Sequence, residues 1–232
     1  MNSGKYAKYK VLMKETDLHP YLPETTMFTP SNFWRLMNKY QDVILKPTGG
    51  GGGSGVIRVG QLGQDQYVIH TSRMSRKVVG QQTAFHYLKT MMQKRAYIIQ
   101  QRISLAKYKG RLLDIRVMVQ RRIGRPWDIT GRLVKVAGSG FIITNTARSG
   151  GYVLPLESVT DAKVINQLDT VALLATKTLT SEYRGLRMVG MDMALDSNGN
   201  IWIIECNFRP AVSLFKKLKD KRMYHRILSY MK

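Results

Sequence analysis

The 232 residues are 44% hydrophobic and carry 37 Lys and Arg against 15 Asp and Glu, a formal net charge of +22. That apolar share supports a sizeable packed core and excludes a disordered chain, while the charge implies an anionic partner: nucleotide phosphates, nucleic acid, or an acidic polymer or protein surface. The one cysteine, Cys206, excludes an intrachain disulfide and reads as a small buried apolar residue, which fits a reducing compartment.

The opening MNSGKYAKYKVLMK is basic but lacks a continuous apolar stretch, and no run reaches the roughly 18 apolar residues of a membrane span, so a cytoplasmic protein is expected. Residues 5–15 read as a helix and YLPETTMFTP as an extended connector. Pro30 opens a second helix through Tyr40 with Phe33, Leu36, Met37 and Tyr40 on one face. DVILKP then reads as a strand.

The stretch TGGGGGSG, 48–55, admits two readings, a flexible linker or a phosphate loop. A strand ending in Lys46-Pro47 enters it and VIRVG leaves it, which favours a glycine-rich hairpin loop. Gly51, Gly52 and Gly53 would let backbone amides approach an anion, and Lys46 adds a point charge. Neither the Walker pattern nor the dinucleotide fingerprint is present, because strand residues follow the glycines.

A helix is expected over 80–94 and a strand over 96–103. Residues 112–123 and 126–138 read as an antiparallel pair turned at Gly124, NTARSGG (145–151) as a polar loop, and 161–184 as a helix. A basic amphipathic helix is expected after Pro210. Basic residues recur in SRMSRK, RRIGR and KKLKDKR without a basic tail or periodic aromatics, which favours non-specific polyanion attraction over specific nucleic-acid binding. His19, His70, His86 and His225 are scattered, and none is a candidate general base.

MDMALDSNGNIWIIECN, 191–207, contains Asn198-Gly199, a dipeptide suited to a two-residue type I′ turn. That turn would set Met191 against Cys206, Met193 against Ile204 and Leu195 against Trp202 on an apolar face. On the other face Asp192 would oppose Glu205, with Asn207 pointing the same way. Opposed carboxylates about 5 Å apart repel unless one is protonated or a cation lies between them. Hard oxygen donors without His or Cys suit Mg²⁺ or Mn²⁺; the plainer alternative is a solvated hairpin face carrying incidental acids.

Lys46 before a glycine hairpin, QQRI, DIR, a basic-Gly-Gly loop and a final Asp…Glu-x-Asn hairpin form an ordered series that resembles the ATP-grasp superfamily. YLPET, YIIQQRISLAKYKGRLLDIRVMVQ and GMDMALDSNGNIWIIECNFRP look like its YheC/YheD family, described as endospore coat-associated. The resemblance implies an α+β ATP-grasp fold whose two lobes, 1–105 and 106–232, clamp ATP. It implies Lys5 and Lys46 on the phosphates, the backbone of Gln101, Arg102 and Ile103 on the base, and Asp114 on the ribose. Lys135 and Asn145 would serve the nucleotide, Arg148 the phosphate or transferred group, and Arg116 an acyl-phosphate. Asp192, Glu205 and Asn207 would hold Mg²⁺.

The implied activity is an ADP-forming carboxylate–amine or carboxylate–thiol ligase acting on an unknown carboxylate acceptor, possibly a peptide or protein. A non-catalytic nucleotide-binding coat protein, with a basic surface held on acidic partners, is the alternative. The chain begins almost at the first lysine, so the usual N-terminal α/β domain is expected to be lacking, leaving half the acceptor site absent or supplied by a partner.

Overall fold

The computed structural model describes residues 3–50, 52–71, 74–93, 95–138 and 150–232. Pro23–Ile103 and the chain up to Tyr9 form one compact unit; Lys10–Leu22 and Ser104–Lys232 form the other. Helix α1 (Lys5–Leu12) is shorter than its sequence suggests. A 3-10 turn, Thr16–Tyr21, follows, started by the Glu15 side chain accepting from the Asp17 amide and containing Pro20.

The first unit holds a six-stranded sheet. Its strands are β1 (Thr25–Met27), β2 (Asp42–Pro47), β3 (Ile57–Gly63), β4 (Gln66–His70), β5 (Ser75–Val79) and β6 (Tyr97–Gln101). They lie in the order β1-β6-β2-β3-β4-β5, every neighbour antiparallel. Helices α2 (Pro30–Tyr40) and α3 (Gln81–Met92) pack on it, bringing Phe33, Leu36, Met37, Ala84 and Leu88 against Val43, Leu45, Val59, Ile69 and Ile99. Thr29 starts α2 by accepting from the Asn32 amide at 3.1 Å, and Gln41, at φ 57°, ends it. Strands β4 and β5 were not expected. QYVIH is short, and SRKVV, the edge strand, begins with polar residues, a pattern that suits a sheet margin.

The second unit holds β7 (Lys107–Tyr108), β8 (Arg111–Gln120), β9 (Asp128–Val136), β10 (Tyr152–Leu154), β11 (Met188–Leu195) and β12 (Ile201–Asn207). Their order is β10-β9-β8-β11-β12, with β7 added to β8. Helix α4 (Ala162–Glu182), capped by the Asp161 side chain, packs on β8, β9 and β11, and its Asp169 pairs with Arg132 of β9. The opposite face meets the C-terminal segment, where Phe215, Leu218 and Ile227 pack on Met118 and Leu133. The helix expected directly after Pro210 starts only at α5 (Arg222–Ser229). Two glycines admit this segment: a Cβ at Gly131 would lie 2.8 Å from Phe215, and one at Gly190 2.4 Å from Pro210. Among the described residues no helix is long and apolar enough to cross a membrane.

Candidate functional site

The β11–β12 hairpin opposes Met191 to Cys206 and Asp192 to Glu205, as the spacing requires. Beyond that pair the register slips by one, setting Met193 against Ile203, Ala194 against Trp202 and Leu195 against Ile201. The expected two-residue turn is replaced by a longer loop. In it the Asp196 carboxylate accepts from the amides of Asn198 and Asn200 at 2.9 Å each, from Asn200 Nδ2 at 3.0 Å and from Trp202 Nε1 at 2.9 Å. Gly199 takes a positive φ of 84°, and Asn198 does not. Ile204 is the extra residue of a bulge that offsets the longer loop, so the acid pair survives the slip.

Strand order gives this hairpin its neighbours. Arg116 of β8 stands directly opposite Asp192, and Lys135 of β9 opposite Asp114. Alternation then places Lys135, Asp114, Arg116, Asp192, Glu205 and Asn207 on one face. Arg116 clasps Asp192 with Nε to Oδ1 at 2.9 Å and Nη2 to Oδ2 at 3.0 Å. Lys135 Nζ lies 2.7 Å from Asp192 Oδ1 and 2.7 Å from Asp114 Oδ1, and Asn207 Nδ2 donates to Asp192 Oδ2 at 3.2 Å.

Arg116 and Lys135 neutralise Asp192 from the side away from Glu205, so protein cations share the work expected of a bound ion in easing the acid pair. Burial works against the Asp192 carboxylate, but Lys135 and Arg116 outweigh it and hold the group well below the usual range. For Asp114 burial prevails over Lys135 and, with the added charge of Asp192, pushes the carboxyl up to about 7. Asp114 thus belongs to the same buried cluster as Asp192, joined to it through Lys135. Arg116 is itself almost wholly buried, and its Nη1 has no hydrogen-bond partner among the described residues.

The donor set suits a hard divalent ion in kind: two carboxylates and one amide oxygen. Among the described residues no three His, Cys, Asp or Glu side chains converge to hold a metal. Asp192 would have to release one of its cations for an ion to bind.

In the first unit the glycine loop joins β2 to β3, whose pairing begins at Leu45 and Ile57. Gly50, Gly52, Gly53 and Gly55 all take positive φ, and open space surrounds the missing Cβ of Gly50 and Gly52. Lys5 Nζ donates to the Gly50 carbonyl at 2.9 Å, so the first candidate lysine reaches this loop. Lys46 Nζ donates to Gln100 Oε1 at 2.5 Å, and Gln100 Nε2 to Thr25 Oγ1 at 2.7 Å. Gln100 went unnoticed in the sequence. Its signal was a glutamine at a position where strand alternation puts it beside buried Ile98, in register with Ile44.

Of the expected base-reading stretch, the Gln101 amide donates to the Glu24 carbonyl at 2.9 Å and the Arg102 amide to the Asp42 carbonyl at 3.3 Å. The Arg102 side chain pairs with Asp42 at 2.9 Å, and Ile103 is buried. Gly51, Asn145 and Arg148 lie outside the described residues.

The architecture matches solved proteins. The VanG D-Ala:D-Ser ligase from Enterococcus faecalis aligns with 99% of this chain and 61% of its own, at a TM-score of 0.59 and 14% identity. The ATP-grasp ligase PsnB, solved with a minimal precursor, aligns with 97% of this chain and 59% of its own, at a TM-score of 0.57 and 15% identity. The fold is therefore ATP-grasp. In sequence, the endospore coat-associated protein YheD of Bacillus subtilis (strain 168) is 28% identical over 224 residues, covering 91% of this chain and 49% of the relative. The chain thus spans about half the length of that protein. Residues 2–232 match the YheC/D-like ATP-grasp description, and the chain belongs to that family.

Proposed function

We propose that the chain is an ADP-forming ATP-grasp ligase of the spore envelope that joins a carboxylate to an amine or thiol. The observation that carries this reading is Arg116 Nη1, a buried guanidinium nitrogen that has no hydrogen-bond partner among the described residues and lies beside a cluster of acids and cations. A buried cationic donor left unpaired is costly unless an anion comes to it. A transferring phosphoryl group is such an anion.

In this reading Lys5 and Lys46 neutralise the terminal phosphates, and the positive-φ glycines bring backbone amides to them without side-chain hindrance. The base is read by the carbonyls of Gln101 and Arg102 and by Ile103, since the amides of Gln101 and Arg102 are already engaged. Asp192, Glu205 and Asn207 would hold Mg²⁺, which would supply positive charge to offset that of the nucleotide phosphates.

An acceptor carboxylate oxygen attacks the γ-phosphorus and ADP departs. Arg116 then donates to the phosphoryl oxygens of the acyl-phosphate, Lys135 keeps the buried acids neutralised, and Asn145 and Arg148 attend the transferred group. An amine or thiol attacks the acyl carbon, loses its proton, and expels inorganic phosphate. A peptide or protein carboxylate is the favoured acceptor class, in keeping with the precursor-bound ligase of the same fold.

One observation favours a second reading, a nucleotide-binding coat protein without turnover. Both oxygens of Asp192 are already satisfied by Arg116, Lys135 and Asn207. Hydroxylamine distinguishes the two. With ATP, Mg²⁺ and a pool of carboxylates, the ligase yields hydroxamate and ADP in proportion, and Asp192→Asn with Glu205→Gln abolishes both. Mg²⁺-ATP binding with neither product, even after adding cell lysate as a source of acceptor, leaves only the second reading.

A further inference from the structure

At one end of the second sheet Gln120, Asp128 and Met188 lie in register side by side, and the β8–β9 turn projects beyond them. Arginines crowd this end and are held in fixed poses. The Arg121 amide donates to the Arg187 carbonyl at 3.0 Å, its Nε to the Leu186 carbonyl at 3.2 Å, and its guanidinium lies 4.7 Å above the Trp127 ring. Arg122 lies 4.7 Å above the Tyr230 ring and donates to Ser229 Oγ at 3.3 Å. Arg226 pairs with Asp128 at 2.7 Å, and the Tyr230 hydroxyl also donates to Asp128. Arg125 stands exposed in the same turn.

The crest of that turn is apolar. Ile123 is 82% exposed, more than any other large hydrophobic side chain among the described residues. Gly124, at φ 70°, makes the sharp reversal that thrusts it outward. Met231, next to Tyr230, is 50% exposed. Aliphatic tips, a tryptophan at their base and a ring of arginines reproduce the polarity gradient of a bilayer surface, from acyl chains through the interfacial zone to phosphate.

We propose that this end of the second unit docks on an anionic lipid bilayer, with Ile123 and Met231 entering the headgroup–acyl boundary and the arginines taking lipid phosphates. A soluble polyanion would satisfy the arginines and leave Ile123 in water. Stacking on Trp127 and Tyr230 already restricts Arg121 and Arg122, so little side-chain freedom is lost on contact. Asp192 lies four residues along β11 from Met188, about 13 Å at the rise of a strand, so docking leaves the polar cluster uncovered.

Sedimentation of the full chain with vesicles tests this directly. It should bind vesicles of phosphatidylcholine mixed with phosphatidylglycerol, not pure phosphatidylcholine, and binding should weaken as salt rises. Ile123→Ser keeps the charge and, at so exposed a position, the fold; it should lower the partition coefficient about tenfold. Arg122→Gln with Arg125→Gln should remove the preference for anionic vesicles at an unchanged melting temperature. Absence of binding to the mixed vesicles overturns the proposal. So does equal binding by Ile123→Ser, or complete competition by polyphosphate, either of which reduces the surface to a charge attractor.

Discussion

Asp114, Asp192 and Glu205 share one sheet face with two cations, Arg116 and Lys135, and Asp114 carries the imbalance. Its folded carboxyl, raised to about 7 chiefly by burial, keeps a proton that the unfolded chain loses near pH 4. Stability therefore falls as pH climbs from about 4 toward 7, because the folded state binds the extra proton in that window. Asp114→Asn should flatten this slope and raise the melting temperature at pH 8 more than at pH 5; calorimetry at the two pH values measures the difference. An unchanged slope would remove Asp114 as the source. Spacing alone placed Asp192, Glu205 and Asn207 together, since all three lie on one short hairpin. It gave no hint that Arg116 and Lys135 close on Asp192, because that contact depends on β8 and β9 lying beside β11, a fact of strand order.

At the scale of elements, the hairpin shows two local preferences in competition. Asn198-Gly199 favours a two-residue turn, yet Asp196 collects four donors and stretches the loop to reach them. Asp196→Ala leaves those donors to water and should cost about 2 kcal/mol by urea titration, more than Asn198→Ala. Helix α2 was readable because Pro30 and the apolar face agree, and β2 and β3 because strand residues bracket the glycines. β5 was not, since an edge strand needs little apolar alternation, and β4, though it alternates, is only five residues long. The slip at Ile204 was equally hidden. A bulge follows from how loop and acid pair are reconciled in space, and no single residue announces it.

Across the molecule, the C-terminal segment is a structural wall and not a tail. Phe215, Leu218 and Ile227 cover Met118 and Leu133, and Gln120 Nε2 donates to the Ile227 carbonyl at 3.2 Å. A chain ending at Arg209 would expose that strip and leave Gln120 without this acceptor. Its second unit should bind hydrophobic dye and lose near-ultraviolet dichroism while keeping most of its strand signal. Retention of a sharp thermal transition in the shortened chain would show that the segment is dispensable. The same segment supplies Arg226 and Tyr230, which meet Asp128 and Arg122 at the arginine-rich end. Two selective pressures therefore fall on one stretch of gene. A change at a scattered surface lysine alters charge alone, whereas a change at Arg226 or Tyr230 disturbs packing and surface charge together, so this corner should vary more slowly among relatives than its exposure suggests.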